Sequence, residues 1–174
     1  NGLYGRSGAT INLNATDVLG SLMDFIILGD DNQGIGNLFL AIGTSNTTPS
    51  LQLGFNSSGE IGNVTGPGTL NVNTTLTLNN GLVSANLNGA AAATKDNNLT
   101  VTLSGNNSLT GTTLNREGTL VLDFTTNAGT DNKMGTGVFT VGSTSNNDAR
   151  AITNLIGNAT TPSTQTVASL AVAG

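Results

Sequence analysis

Two stretches of this chain spell nearly the same strand. Leu99-Thr-Val-Thr-Leu-Ser-Gly105 and Gly118-Thr-Leu-Val-Leu-Asp-Phe124 both alternate an aliphatic with a polar residue, and each carries a glycine at one end. Alternation with period 2 puts one set of side chains on each face of a strand, whereas a helix needs a period of 3.6. Related units recur at Ser50-Leu-Gln-Leu-Gly-Phe55, Gly68-Thr-Leu-Asn-Val-Asn73 and Thr75-Leu-Thr-Leu-Asn79. Read this way throughout, the chain predicts strands near 10–14, 22–28, 37–42, 50–55, 59–64, 68–73, 75–79, 81–87, 98–104, 108–114, 118–124, 137–141 and 166–172. Turns fall at Gly66-Pro-Gly68, Asn79-Asn-Gly81, Asn88-Gly89 and Gly105-Asn-Asn107, where residues tolerate positive φ or preset a bend. Gly89-Ala-Ala-Ala-Ala-Thr94 is too short for an independent helix and reads as a loop or a small-residue strand.

A chain of many short strands folds as a sandwich or a solenoid. The apolar residues are nearly all medium-sized aliphatics, suited to like-on-like stacking in a narrow interior, and aromatics amount to 3% with no Trp. Strands such as Leu99, Val101, Leu103 and Leu120, Leu122, Phe124 bury one face and offer Thr or Asn on the other. These features favour an all-β parallel solenoid, with a β-sandwich of the pilin-like kind as the alternative. At ~20 residues per coil the chain makes roughly 8 or 9 coils, a rod about 40 Å long. It is read as a single solenoid domain over 1–174 or a segment of a longer exported protein.

Composition narrows the function. Asn (25), Thr (28) and Gly (24) make up 77 of 174 residues, against 5 Lys plus Arg and 10 Asp plus Glu. With neither His nor Cys, imidazole and thiol chemistry are excluded. The net charge of −5 is thinly spread and leaves no basic patch, so nucleic acid is not expected as a partner. The most apolar run, 22–28, is too short to cross a bilayer and contains Asp24, so no membrane insertion is expected.

The segment from Leu99 to Leu122 runs through Ser104-Gly-Asn-Asn107, Thr110-Gly-Thr-Thr-Leu-Asn115 and Gly118-Thr-Leu-Val-Leu122. It resembles the autotransporter-associated β-strand repeat of exported bacterial proteins. The close likeness covers about 24 residues, and a looser one extends over 66–174, including Thr161-Pro-Ser-Thr-Gln-Thr-Val-Ala-Ser-Leu-Ala-Val-Ala-Gly174. Arg116-Glu117 departs from the small residue usual before Gly-Thr-Leu-Val-Leu and fits a solvent-facing turn. The resemblance implies a right-handed parallel β-helix on the bacterial cell surface.

Three places bear candidate chemistry. Asp30-Asp31, in Gly29-Asp-Asp-Asn-Gln-Gly-Ile-Gly36, is the only acidic pair, and paired carboxylates can hydrolyse polysaccharide. Neighbours on a strand point to opposite faces, however, and no cation accompanies them, so a polar turn and no catalytic role are expected. Asp30 and Asn32 also form a weak calcium candidate, with Asp131 weaker still, because both lack the full set of oxygen ligands; otherwise no cofactor is expected. Eight Asn-x-Ser/Thr sequons stand at Asn14, Asn46, Asn56, Asn63, Asn73, Asn98, Asn106 and Asn158, acceptors for glycan in an export pathway that has the machinery and bare in a bacterium without it. Four of the six aromatics, Tyr4, Phe25, Phe39, Phe55, Phe124 and Phe139, sit in apolar strand contexts and read as core, which leaves little platform for a sugar ring.

The expected function is structural: a self-associating subunit of a surface fibre, matrix or S-layer-like assembly, secreted or at the cell surface. The alternative is an adhesin or module that binds surface glycans. The junction is expected in the uncharged run Thr166, Val167, Ala168, Ser169, Leu170, Ala171 and Val172, or in 10–14, because an unpaired β-prone edge invites another strand.

Overall fold

The computed structural model describes all residues except 21–22, 31–33, 127–131, 143–149 and 174. Among the described residues there are fifteen strands and no helix. They are β1 (Gly2–Gly5), β2 (Thr10–Leu13), β3 (Phe25–Leu28), β4 (Gly36–Leu40), β5 (Ser45–Leu53), β6 (Gly62–Thr65), β7 (Thr69–Leu78), β8 (Gly81–Val83), β9 (Asn86–Gly89), β10 (Ala92–Leu103), β11 (Ser108–Leu109), β12 (Thr113–Asp123), β13 (Val138–Val141), β14 (Ala151–Ile156) and β15 (Ser169–Val172). Every pairing between them is parallel. Parallel neighbours cannot be joined by tight hairpins, so the chain must travel around before it returns. It does so as a β-solenoid.

The pairings resolve into three faces. Face one stacks β1, β3, residues 50–53 of β5, residues 75–78 of β7, the starts of β10 and β12, β13 and β15. Face two stacks β2, β4, β6, β8, the ends of β10 and β12, and β14. Face three stacks the first halves of β5 and β7, then β9 and β11. The four strands of nine residues or more, β5, β7, β10 and β12, each bend around an edge of the prism. At the bend in β5 the register slips beside Pro49, which lacks an N–H that the ladder there does not need.

On face one the register runs Gly2, Phe25, Ser50, Thr75, Ala92 and, one residue further along the strand, Ala93, Thr113, Phe139, Leu170. The steps are 23, 25, 25, 17, 20, 26 and 31 residues, seven coils in place of the 8 or 9 expected. At ~4.8 Å per rung that is about 34 Å of rod. Only the middle coils have the assumed length, because the outer ones carry longer excursions at the edges. The segment that resembles the autotransporter-associated repeat spans slightly more than one of these middle coils.

Inside, alternate residues stack into columns: Ile26, Leu51 and Leu76 on face one, Leu38, Val64, Val83, Leu103 and Leu122 on face two, Leu70 and Leu87 on face three. All are buried. Removing a leucine side chain of this size from water contributes about 1.5–3 kcal/mol each. Where faces one and two meet, the interior narrows and the column becomes Gly36, Gly62 and Gly81. A Cβ on Gly62 would lie 2.6 Å from the Leu28 carbonyl oxygen and 2.7 Å from Leu53 Cα, so the glycines set how tightly that edge folds.

The aromatic expectation is corrected here. Phe124 and Phe139 are buried, but Phe25 sits on the outside of face one, where its ring lies over Gly2, and Phe39 is exposed on the outside of face two. A phenylalanine fills too much of a narrow prism for most rungs to admit one.

Candidate functional site

Among the described residues no strand lies beyond β14 and β15 on the rod. Leu155 pairs with buried Leu122, and Leu170 with buried Phe139, so both occupy core positions of the last rung. Leu155 is nevertheless 61% exposed, Leu170 63% and Val172 82%, because no rung among the described residues covers them. Leu155 and Leu170 border a hollow of about 170 Å³ floored by Leu122, Met134 and Phe139. Among the described residues β14 pairs only with β12 and β15 only with β13, which leaves one edge of each without a partner strand. The N-terminal end differs: Leu3 and Ile11 are half-buried there, and Leu19 packs against the core.

The run 166–172 is divided by an edge of the prism. Thr166 N donates to Asn132 Oδ1 at 2.7 Å and Ala168 N to Thr136 O at 2.9 Å, closing face three, while residues 169–172 form β15 on face one. At the other end, Leu13 of β2 is buried and β2 pairs only with β4.

Asp30 is half-buried and paired with the Arg6 guanidinium, which lies 4.4 Å from the centre of the Tyr4 ring. Tyr4 in turn meets Phe25 edge to face, with ring centres 5.5 Å apart. Sequence reasoning assigned no cation to Asp30, because Arg6 is one coil away and its proximity follows only from the register. Asp31, Asn32 and Asp131 lie outside the described residues. Among the described residues no three His, Cys, Asp or Glu side chains gather as a metal site.

The sequon asparagines divide by environment. Asn14, Asn56, Asn73, Asn98 and Asn106 are exposed. Asn63 donates to Asn37 Oδ1 at 3.0 Å, and Asn158 holds a turn by accepting from the N–H groups of Thr160 and Thr161. Asn46 is fully buried, with its amide donating to Ala15 O and accepting from Val18 N, so the folded chain offers no glycan acceptor there. It stands in for the ladder bonds that residues 15–18 do not complete.

Two lysines that the sequence reading passed over are fully buried. Lys95 Nζ donates to the carbonyl of Asn97, to Asn97 Oδ1 and to the Glu117 carbonyl, pinning the bend of β10 to that of β12. Burial lowers its pKa to about 8, against the opposing charges of Glu117 and Asp96. Lys133 Nζ donates to the carbonyls of Ser104 and Gly105 at 3.1 Å and lies 5.4 Å from the Phe124 ring centre. Its pKa is lowered too, by burial, with Asp123 acting the other way. Both ammonium groups are ringed by carbonyl oxygens, which suits a structural pin more than a nucleophile.

A cleft of about 420 Å³ lies nearer the N-terminal end, lined by Asp17, Gly20, Met23, Thr47, Pro49, Asn73 and Thr74. Compared with known proteins, the chain matches no family model, no curated relative and no solved structure.

Proposed function

We propose that this chain is a non-catalytic structural subunit whose rods join through the rung of β14 and β15, serving an extracellular or cell-surface fibre or matrix. The supporting observation is the last rung, where core-position leucines and two strand edges face outward together. A second copy satisfies both demands at once, since a parallel strand laid on the edge pairs the backbone and covers the leucines. The first rung of such a copy is chemically suited to it: β1 and β2 are four-residue strands whose inward residues include Leu3 and Ile11. The likeness of residues 99–122 to a repeat of exported bacterial proteins supports the location.

The test is oligomeric state. The parent protein is expected to form end-to-end rods under negative-stain microscopy, and Leu170→Lys with Val172→Lys to leave single particles with an unchanged β signal. Fibres of the same length from the double variant would refute the junction. Proline at Ala168 is unsuitable for this purpose, because the Ala168 N–H holds face three closed.

A second reading, an adhesin that binds glycans, draws on the outward Tyr4 and Phe25 rings beside Arg6 and Asp30. Glycan-array binding that is lost in Tyr4→Ala, with assembly intact, would favour it.

A further inference from the structure

The outside of face one bears a hydroxyl on every rung from the third upward. From the third rung upward its outward residues form two columns: Ser50, Thr75, Ala92, Thr112, Val138 and Ser169 in one, and Gln52, Thr77, Thr94, Leu114, Thr140 and Ala171 in the other. None of these twelve residues carries a charge, and none is aromatic. All are exposed or half-buried.

Their hydroxyls are also uncommitted. Among the described residues no side-chain hydrogen bond engages Thr75, Thr77, Thr94, Thr112, Thr140 or Ser169. On face three the outward asparagines and serines are tied to one another or to the backbone, as Asn71 Nδ2 donates to Ser45 Oγ at 2.9 Å, Ser108 Oγ to Asn88 Oδ1 at 2.6 Å, and Asn106 N to Asn86 Oδ1 at 3.0 Å, while Thr47 and Thr69 make no such bond. Face three thus spends its asparagine and serine groups internally and leaves two threonines free, whereas face one directs a free hydroxyl outward on every rung from the third upward.

The columns repeat at fixed intervals, about 4.8 Å along the rod between rungs and roughly 6.6 Å across it between residues two apart on a strand. Each threonine sets a methyl beside a hydroxyl. The methyls exclude mobile water while the hydroxyls anchor it, so a rigid array with these two intervals holds its hydration layer in a two-dimensional lattice. An uncharged lattice of hydroxyls and methyls matches a solid made of uncharged, tetrahedrally bonded water. We propose that face one between Ser50 and Ala171 is an ice-binding surface. A crystalline polysaccharide is the lesser fit, since none of these twelve residues carries a ring to stack on a sugar.

The experiment measures thermal hysteresis and ice recrystallisation with the full chain. The parent is expected to hold a hysteresis gap and to facet ice crystals. Thr77→Lys with Thr94→Lys should reduce the gap at least tenfold with an unchanged melting temperature, because both side chains point outward. Ala92→Tyr, which raises a ring above the plane without adding charge, should act likewise should the lysine pair disturb folding. Thr47→Lys, outward on face three, should leave the gap intact. No hysteresis or recrystallisation inhibition by the parent overturns the proposal, as does a gap that survives both face-one changes. Adsorption to crystalline cellulose or chitin that is lost in the face-one variants, with no effect on ice, would also overturn it and assign the face to polysaccharide.

Discussion

Lys95 shows how a charged residue can be native to a core of leucines. Its ammonium gains three carbonyl-type acceptors but loses its water, and the loss dominates, which is why its pKa falls to about 8. Because the folded value lies below the ordinary 10.5, the unfolded chain binds more protons between pH 8 and 10.5, and stability rises with pH across that window. Lys133 contributes with the same sign. The melting temperature is therefore expected to climb from about pH 8 towards pH 10.5, and Lys95→Met to flatten that climb; a variant that climbs as steeply as the parent would show that Lys95 is not its source. Nothing in Thr94-Lys-Asp-Asn-Asn98 announces this burial, since lysine beside aspartate reads as a solvated turn. The asparagines were equally opaque: a ladder residue and a buried backbone surrogate such as Asn46 or Asn107 have the same letter, and only the neighbouring coil tells them apart.

Strands were legible where alternation is clean, as in β10, β12 and the second half of β7. Alternation does not reveal the bend of β10, however, because that strand keeps its inward–outward rhythm around the edge. Hence 98–104 was expected as one strand where β10 begins six residues earlier, and the polyalanine stretch became its start. β1 and β14 were missed: β1 is half glycine, and the Leu155-Ile156 pair breaks the period of β14. Of the glycines at the edge between faces one and two, Gly36 and Gly81 read as turn residues and Gly62 as part of a strand, whereas their stacking is a matter of register. Gly62 has an ordinary φ, so its replacement by alanine costs through contact alone. Gly62→Ala is expected to destabilise the fold by about 1–3 kcal/mol, as overpacking does. Denaturant titration checks it, and a loss under ~0.5 kcal/mol would mean that the edge relaxes at little cost.

At the scale of the molecule, each coil touches chiefly the coil above and the coil below, so stability accumulates from neighbour to neighbour. The solenoid class followed from pattern and composition, but the three faces and the unequal coils did not, because excursions of different lengths leave no fixed repeat in the sequence. The hydrogen bonds of the ladders run parallel to the rod axis, while the chain itself circles that axis. Tension applied between the two ends of the chain therefore opens the outermost rung first, a few bonds at a time, instead of shearing a whole sheet at once. In a single-molecule stretching experiment the chain is expected to pay out like thread from a bobbin, in increments of one coil at low force; a single all-or-none rupture would contradict this. A fibre built of such rods would bear load along its length only as well as its joints and end coils hold, and would lengthen under strain before it broke.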